Sequence, residues 1–97
     1  MKMLVLIGPE GREEDLRRLI ASHEIHSYSE FRGVIGEGTT GRRLGTPLFP
    51  GKSVMVFTVV EDPKLQELRA AIDEFRARLY PGEGVRAFVL PVEEMLG

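Results

Sequence analysis

"SVMVFTVVEDPKL", residues 53–65, decides the fold. In an extended chain Val54, Val56 and Val60 point to one side, and Met55, Phe57 and Val59 to the other. A strand that is apolar on both faces has to be covered on both. The run stops at Asp62-Pro63, which reads as a helix start with Asp62 as N-cap and Pro63 at the first helical position. Leu65, Leu68, Ile72, Phe75 and Leu79 then recur at spacings of 3, 4, 3 and 4, the stripe of an amphipathic helix. Pro81-Gly82 ends that helix.

The segments on the N-terminal side repeat this grammar. "MLVLI", residues 3–7, is a short buried strand closed by Gly8-Pro9. "EGREEDLRRLIASHE", residues 10–24, places Glu13, Glu14 and Asp15 at the positive end of a helix. Leu16, Leu19 and Ile20 form its apolar stripe, which His23 continues. "HSYSEFRGVI", residues 26–35, reads as a second strand. There Tyr28 and Phe31 are three apart, which breaks the alternation and predicts a bulge. "VRAFVLPV", residues 85–92, is a last strand. The order β-α-β-loop-β-α-β predicts an α+β fold and a single domain over 1–97, a ferredoxin-like βαββαβ sandwich. Its antiparallel four-stranded sheet carries both helices on one face. The uncovered second face then predicts burial against other copies, a homo-oligomer.

Between the two halves lies Gly33 to Lys52, with six glycines and two prolines. Such a stretch does not form regular structure unaided, and 34–52 is expected to be a flexible functional loop. Arg32, Arg42, Arg43 and Lys52 face a single Glu37, a local charge of +3 in a chain of net charge -2. The loop ends in Gly51-Lys52-Ser53, the ending of a phosphate-binding P-loop, but a strand follows where that motif requires a helix. In "GEGTTGRR", residues 36–43, the glycine spacing fits, yet Arg42 and Arg43 stand where Lys and Ser/Thr belong. Neither is a P-loop. Glycine amides beside a cation can bind phosphate in other ways. Two clusters offer this, "FRGVIGEG" at 31–38 and "PGEGVR" at 81–86.

Composition removes other classes. The chain has no Cys, so disulfides, thiolate metal sites and thiol nucleophiles are excluded, and a reducing cytoplasm is expected. The net charge of -2 argues against a nucleic-acid binder. The apolar run Leu4 to Ile7 is too short to be a signal peptide or to span a membrane, and the protein is not expected to be membrane-inserted.

"SYSEFRG", 27–33, resembles the Thr-Val-Thr-Glu-Val-Lys-Gly stretch before the T-loop of PII signal-transduction proteins. "GEGVRAFVLPVEE", 82–94, resembles that family's Gly-Asp-Gly-Lys-Ile-Phe-Val-x-Pro-Val-Glu stretch, with Val85 as one inserted residue. "VVEDPKL", 59–65, is similar to the Val-Val-Pro-Asp that opens its second helix. The resemblance covers nearly the whole chain, and 34–52 takes the T-loop position. It implies a regulatory homotrimer with adenine nucleotides in clefts between subunits, and a loop that engages a transporter or enzyme. Ser27 matches the adenine-contacting Thr, and Leu6 and Val59 match apolar positions around the base. Gly33 and Gly36, with Arg32 beside them, match the loop base. Gly82, Gly84 and Arg86 match the phosphate-side Gly, Gly and Lys.

The pattern also departs from the family. Glu37 and Gly38 replace an Arg and a Gln, Gly8-Pro9-Glu10 replaces Lys-Pro-Phe, and no Tyr stands in the loop. This resembles the divergent PII-like group and favours ADP, AMP or cyclic AMP over Mg-ATP, with no obligatory cofactor. Arg42, Arg43 and Phe49 are the expected partner contacts. The alternative is a CutA-like metal-binding trimer of the same fold. Its ligands would come from His23, Glu24, His26 and Glu30, but His23 and His26 straddle a helix end and need not converge. With no Cys and two unremarkable His, a nucleophile–base pair is hard to assemble, and no catalysis is expected.

Overall fold

The computed structural model describes residues 1–38, 41–43, 52–81 and 83–97, with the backbone alone at 37, 38 and 41–43. Strand β1 (Lys2–Pro9) runs through a 3-10 turn (Glu10–Arg12) into helix α1 (Glu13–Ala21). Strand β2 (Ser29–Val34) and the short strands β3 (Gly36–Gly38) and β4 (Gly41–Arg43) follow. Strand β5 (Ser53–Val60), helix α2 (Asp62–Ala77) and strand β6 (Arg86–Pro91) complete the chain. Four strands form one antiparallel sheet in the order β2-β5-β1-β6. The expected ferredoxin-like fold is therefore the one observed.

The central pair β1–β5 is in register from Lys2 opposite Val60 to Pro9 opposite Ser53. One face of that pair carries Leu4, Leu6, Val54, Val56 and Val60, all buried beneath Leu16, Leu19 and Ile20 of α1 and Leu65, Leu68, Ile72 and Phe75 of α2. Each such side chain contributes on the order of 1.5–3 kcal/mol of burial. On the opposite face Met3, Val5, Ile7, Met55, Phe57 and Val59 are only partly covered. The flanking strands extend that face with Phe31 (54% exposed) and Phe88 (51% exposed). Phe31 stacks on Phe57 with ring centroids 5.8 Å apart.

Three local readings are refined. The irregularity in β2 falls between Phe31 and Val34, not at Tyr28, which precedes the strand. Gly33 supplies it, at φ +69, a conformation that costs glycine little. Helix α2 is capped by Glu61 rather than Asp62, because the Leu65 N–H donates to the Glu61 carbonyl at 3.0 Å. Pro63 still falls in the first turn, where a missing N–H removes no helical bond. Within 34–52, β3 and β4 pair antiparallel, Gly36 opposite Arg43 and Gly38 opposite Gly41. A glycine-rich polar stretch has no apolar alternation to announce such pairing.

Helix α1 ends in a turn where the His23 N–H meets the Ile20 carbonyl and the Glu24 N–H meets the Ala21 carbonyl, both at 3.1 Å. Glu24 closes it at φ +62, a left-handed conformation that disfavours any residue with a Cβ. Glu24 is exposed, so its side chain offsets little of that cost. Glu24→Gly is expected to stabilise the fold by about 0.5–1 kcal/mol, read as a higher urea midpoint at unchanged slope.

Candidate functional site

The C-terminal end of β1, the N-terminal ends of β5 and β6, and the C-terminal end of β2 lie at the same end of the sheet. Pro9 is opposite Ser53, Ile7 opposite Arg86 and Val34 opposite Ser53. Both glycine clusters therefore emerge there, on opposite edges. The turn Glu10–Arg12 holds them together. Glu10 Oε2 accepts the Gly33 N–H, and the Glu10 N–H donates to the Lys52 carbonyl at 2.9 Å. Two residues on, Arg12 grips Glu83 with two nearly parallel bonds, Nη2 to Oε1 at 2.8 Å and Nε to Oε2 at 3.0 Å. Its third donor, Nη1, reaches Asp15 Oδ2 at 3.1 Å. The guanidinium also lies 5.4 Å from the Tyr80 ring centroid. The Glu83 hydrogen bonds, then the one to Asp15, raise the Arg12 pKa further above its ordinary range, so Arg12 is a permanent cation.

Glu83 also orders its own loop. Its Oε1 accepts the Tyr80 N–H at 2.9 Å, and its N–H donates to the Tyr80 carbonyl at 3.1 Å. Val85 then drops into the core, 2% exposed, against Gly8 and Leu16. At the other edge, Arg32 bonds Glu13, and its Nε lies 3.5 Å from Glu30 Oε2. The Glu13 bond, then its charge, raises the Arg32 pKa above its ordinary value. The groove between α1 and α2, about 480 Å³, is lined by Arg12, Asp15, Leu19, Glu74, Phe75 and Arg78 among others. Of the turn Glu10–Arg12 it contains only Arg12, and it contains none of the expected nucleotide-binding residues.

A model of the family "Nitrogen regulatory protein P-II" matches residues 1–96. The chain belongs to the P-II family. Solved structures of similar fold include CPII from Thiomonas intermedia K12 bound to ADP and bicarbonate, at 17% identity and a TM-score of 0.72, covering 96% of this chain and 88% of that one. The apo form of CPII gives 15% identity and a TM-score of 0.64, covering 94% and 89%. A PII-like signalling protein from Thermus thermophilus gives 15% identity and a TM-score of 0.63, covering 91% and 82%. A comparison with curated proteins gave no match.

Within this P-II fold the expected ligand residues divide into groups. Gly33 and Arg32 stand at the β2 edge of the junction; Gly84 and Arg86 stand at the β6 edge, both exposed. Gly36 is exposed in β3. Ser27 is exposed ahead of β2, and its carbonyl accepts the Thr58 hydroxyl at 2.6 Å. Leu6 and Val59 do not come together: Leu6 is buried under the helices, whereas Val59 lies on the open face of the sheet. Phe49 and Gly82 lie outside the described residues, and Arg42 and Arg43 are placed only as backbone in β4. His23 Nδ1 lies 2.9 Å from the Leu19 carbonyl, and His26 is exposed. Among the described residues no group of three or more His, Asp or Glu could hold a metal ion.

Sequence reading missed Glu10, Arg12 and Glu83 as organising residues. One signal was available: Glu83 sits between two glycines, as Asp does in the family's Gly-Asp-Gly. Val85, read as an insertion, is a core residue. A Cβ on Gly8 would stand 2.9 Å from Val85 Cγ2, closer than a branched, buried neighbour can yield. Gly8→Ala is expected to destabilise the protein by about 1–3 kcal/mol, measured by urea denaturation.

Proposed function

We propose that the protein is a non-catalytic P-II-type sensor, a homotrimer that binds an adenine nucleotide in clefts between subunits. The observation that carries this reading is the junction itself: one turn ties a Gly-Arg pair on each edge of the sheet to the same end. The phosphates fall to Arg32, Gly33, Gly36, Gly82, Gly84 and Arg86. Backbone N–H groups and guanidinium forks are the donors phosphate oxygens require. The adenine falls to the Ser27 and Val59 side of the sheet. The CPII structures bound to ADP, AMP and bicarbonate support ADP or AMP as the ligand. Nucleotide binding would bias the segment 34–52, which presents Arg42, Arg43 and Phe49 to a regulated transporter or enzyme. Such a switch requires a ligand that binds its two states with different affinity. No described helix is long and apolar enough to cross a membrane.

Two experiments test this reading. Calorimetric titration with ADP, AMP, ATP and cyclic AMP is expected to show saturable binding of ADP or AMP. Arg86→Ala should weaken it by about tenfold or more, the loss of one charge-assisted hydrogen bond; no heat from any of the four nucleotides would reject the cleft. The open sheet face carries the assembly. Phe57→Asp places a carboxylate between Phe31, Met55 and Val5 and is expected to convert a trimer to monomers in analytical ultracentrifugation. A monomeric wild type would reject the trimer.

A further inference from the structure

The corner around Gly33 holds its own acids. The left-handed Gly33 N–H donates to Glu10 Oε2. The adjacent Arg32 guanidinium is held by Glu13, with Glu30 at 3.5 Å. Glu13 is shared with Arg17, at 3.3 Å. Glu30 Oε1 is buried with no hydrogen-bond partner among the described residues. Three carboxylates thus crowd two guanidiniums and one glycine N–H, and the donors that suit an incoming anion are already met by the chain's own oxygens. The main chain of Glu10 is anchored separately, through its N–H to the Lys52 carbonyl at 2.9 Å. Its side chain can therefore leave Gly33 while the turn stays in place.

We propose that the Gly33 N–H, beside the Arg32 guanidinium, is an anion seat whose N–H Glu10 occupies as an internal competitor. Glu10 then sets the concentration at which a phosphate group enters. This rests on the nucleotide reading above and adds the residue that tunes it. Displacing the Glu10 carboxylate breaks the tie at Gly33, where the segment 34–52 begins, and leaves the one at Lys52, where it ends. One exchange of oxygens thereby links occupancy of the seat to the root of that segment, because the seat cannot hold both carboxylate and phosphate.

The test follows the Gly33 amide resonance in isotope-labelled full-length protein. Wild type, Glu10→Gln and Glu10→Ala are each titrated with ADP and, separately, with inorganic phosphate. Glu10→Ala is expected to respond at about one-tenth of the wild-type anion concentration, since the displaced bond is charge-assisted. Glu10→Gln, whose carbonyl still accepts but carries no charge, should fall between the two. It also keeps the test valid if the Ala variant fails to fold. Equal midpoints in wild type and variants, or weaker binding in the variants, would overturn the competitor. A Gly33 resonance that ignores both anions in every protein would overturn the seat. A Glu10-dependent response to phosphate with no gain for ADP would support the seat and reject the nucleotide reading.

Discussion

Strands β1 and β5 are apolar on both faces, yet the described residues form only two α-helices, and both lie on the same face. The whole architecture follows from that imbalance. Leu4, Leu6, Val54 and Val56 are sealed by α1 and α2, and this side alone gives the domain its core. The other side presents Met3, Val5, Met55 and Phe57, widened by Phe31 and Phe88 on the flanking strands. Aromatic and branched side chains at this density are costly to leave in water. A closed symmetric assembly removes the cost without adding chain, and this is the physical ground on which the proposed trimer rests.

The second organising element is much smaller. Glu10–Arg12 is three residues long and contributes nothing buried, yet it connects both edges of the sheet. Glu10 reaches the β2 edge through Gly33 and the start of β5 through Lys52. Arg12 reaches the β6 edge through Glu83. The edge strands β2 and β6 are three places apart in the sheet, about 14 Å, so backbone pairing cannot coordinate their ends. A short turn with a long side chain at each end can. The two-point grip of Arg12 on Glu83 also fixes an orientation, which a Lys at the same place would not.

Much of the fold was legible in the sequence because the core obeys simple periods. The stripe of α2 from Leu65 to Phe75 and the two-sided alternation of β5 each admit one interpretation, and both are seen, although the helix ends at Ala77, before Leu79 and before the expected stop at Pro81-Gly82. Motif resemblance led to the right family. The side chains that shape the site were less legible. Glu10, Arg12 and Glu83 are charged residues in turns, where a solvated role is the ordinary one, and their partners lie 23 and 71 residues away. No local period encodes such pairs. Leu6 is the converse case. The resemblance matched Leu6 and Val59 to apolar positions around the base, but residues on different strands share a face only as the register dictates, and here the register puts them on opposite sides. The β3–β4 pairing escaped notice for a third reason, since backbone hydrogen bonds alone leave no trace in hydrophobicity.

The long connection from β2 to β5 leaves and re-enters the domain at neighbouring points, because Val34 and Ser53 are paired partners in the sheet. The sheet therefore closes the ends of this connection whatever lies between them. Closure entropy grows only slowly with length, by about 0.6 kcal/mol for each doubling. Insertions, deletions and wholesale changes of sequence between these two residues are thus nearly neutral for folding. The stability of the fold places little constraint on this region, while the sheet beneath is held constant by its packing. Two proteins with this frame can differ completely in the intervening stretch and still be equally stable.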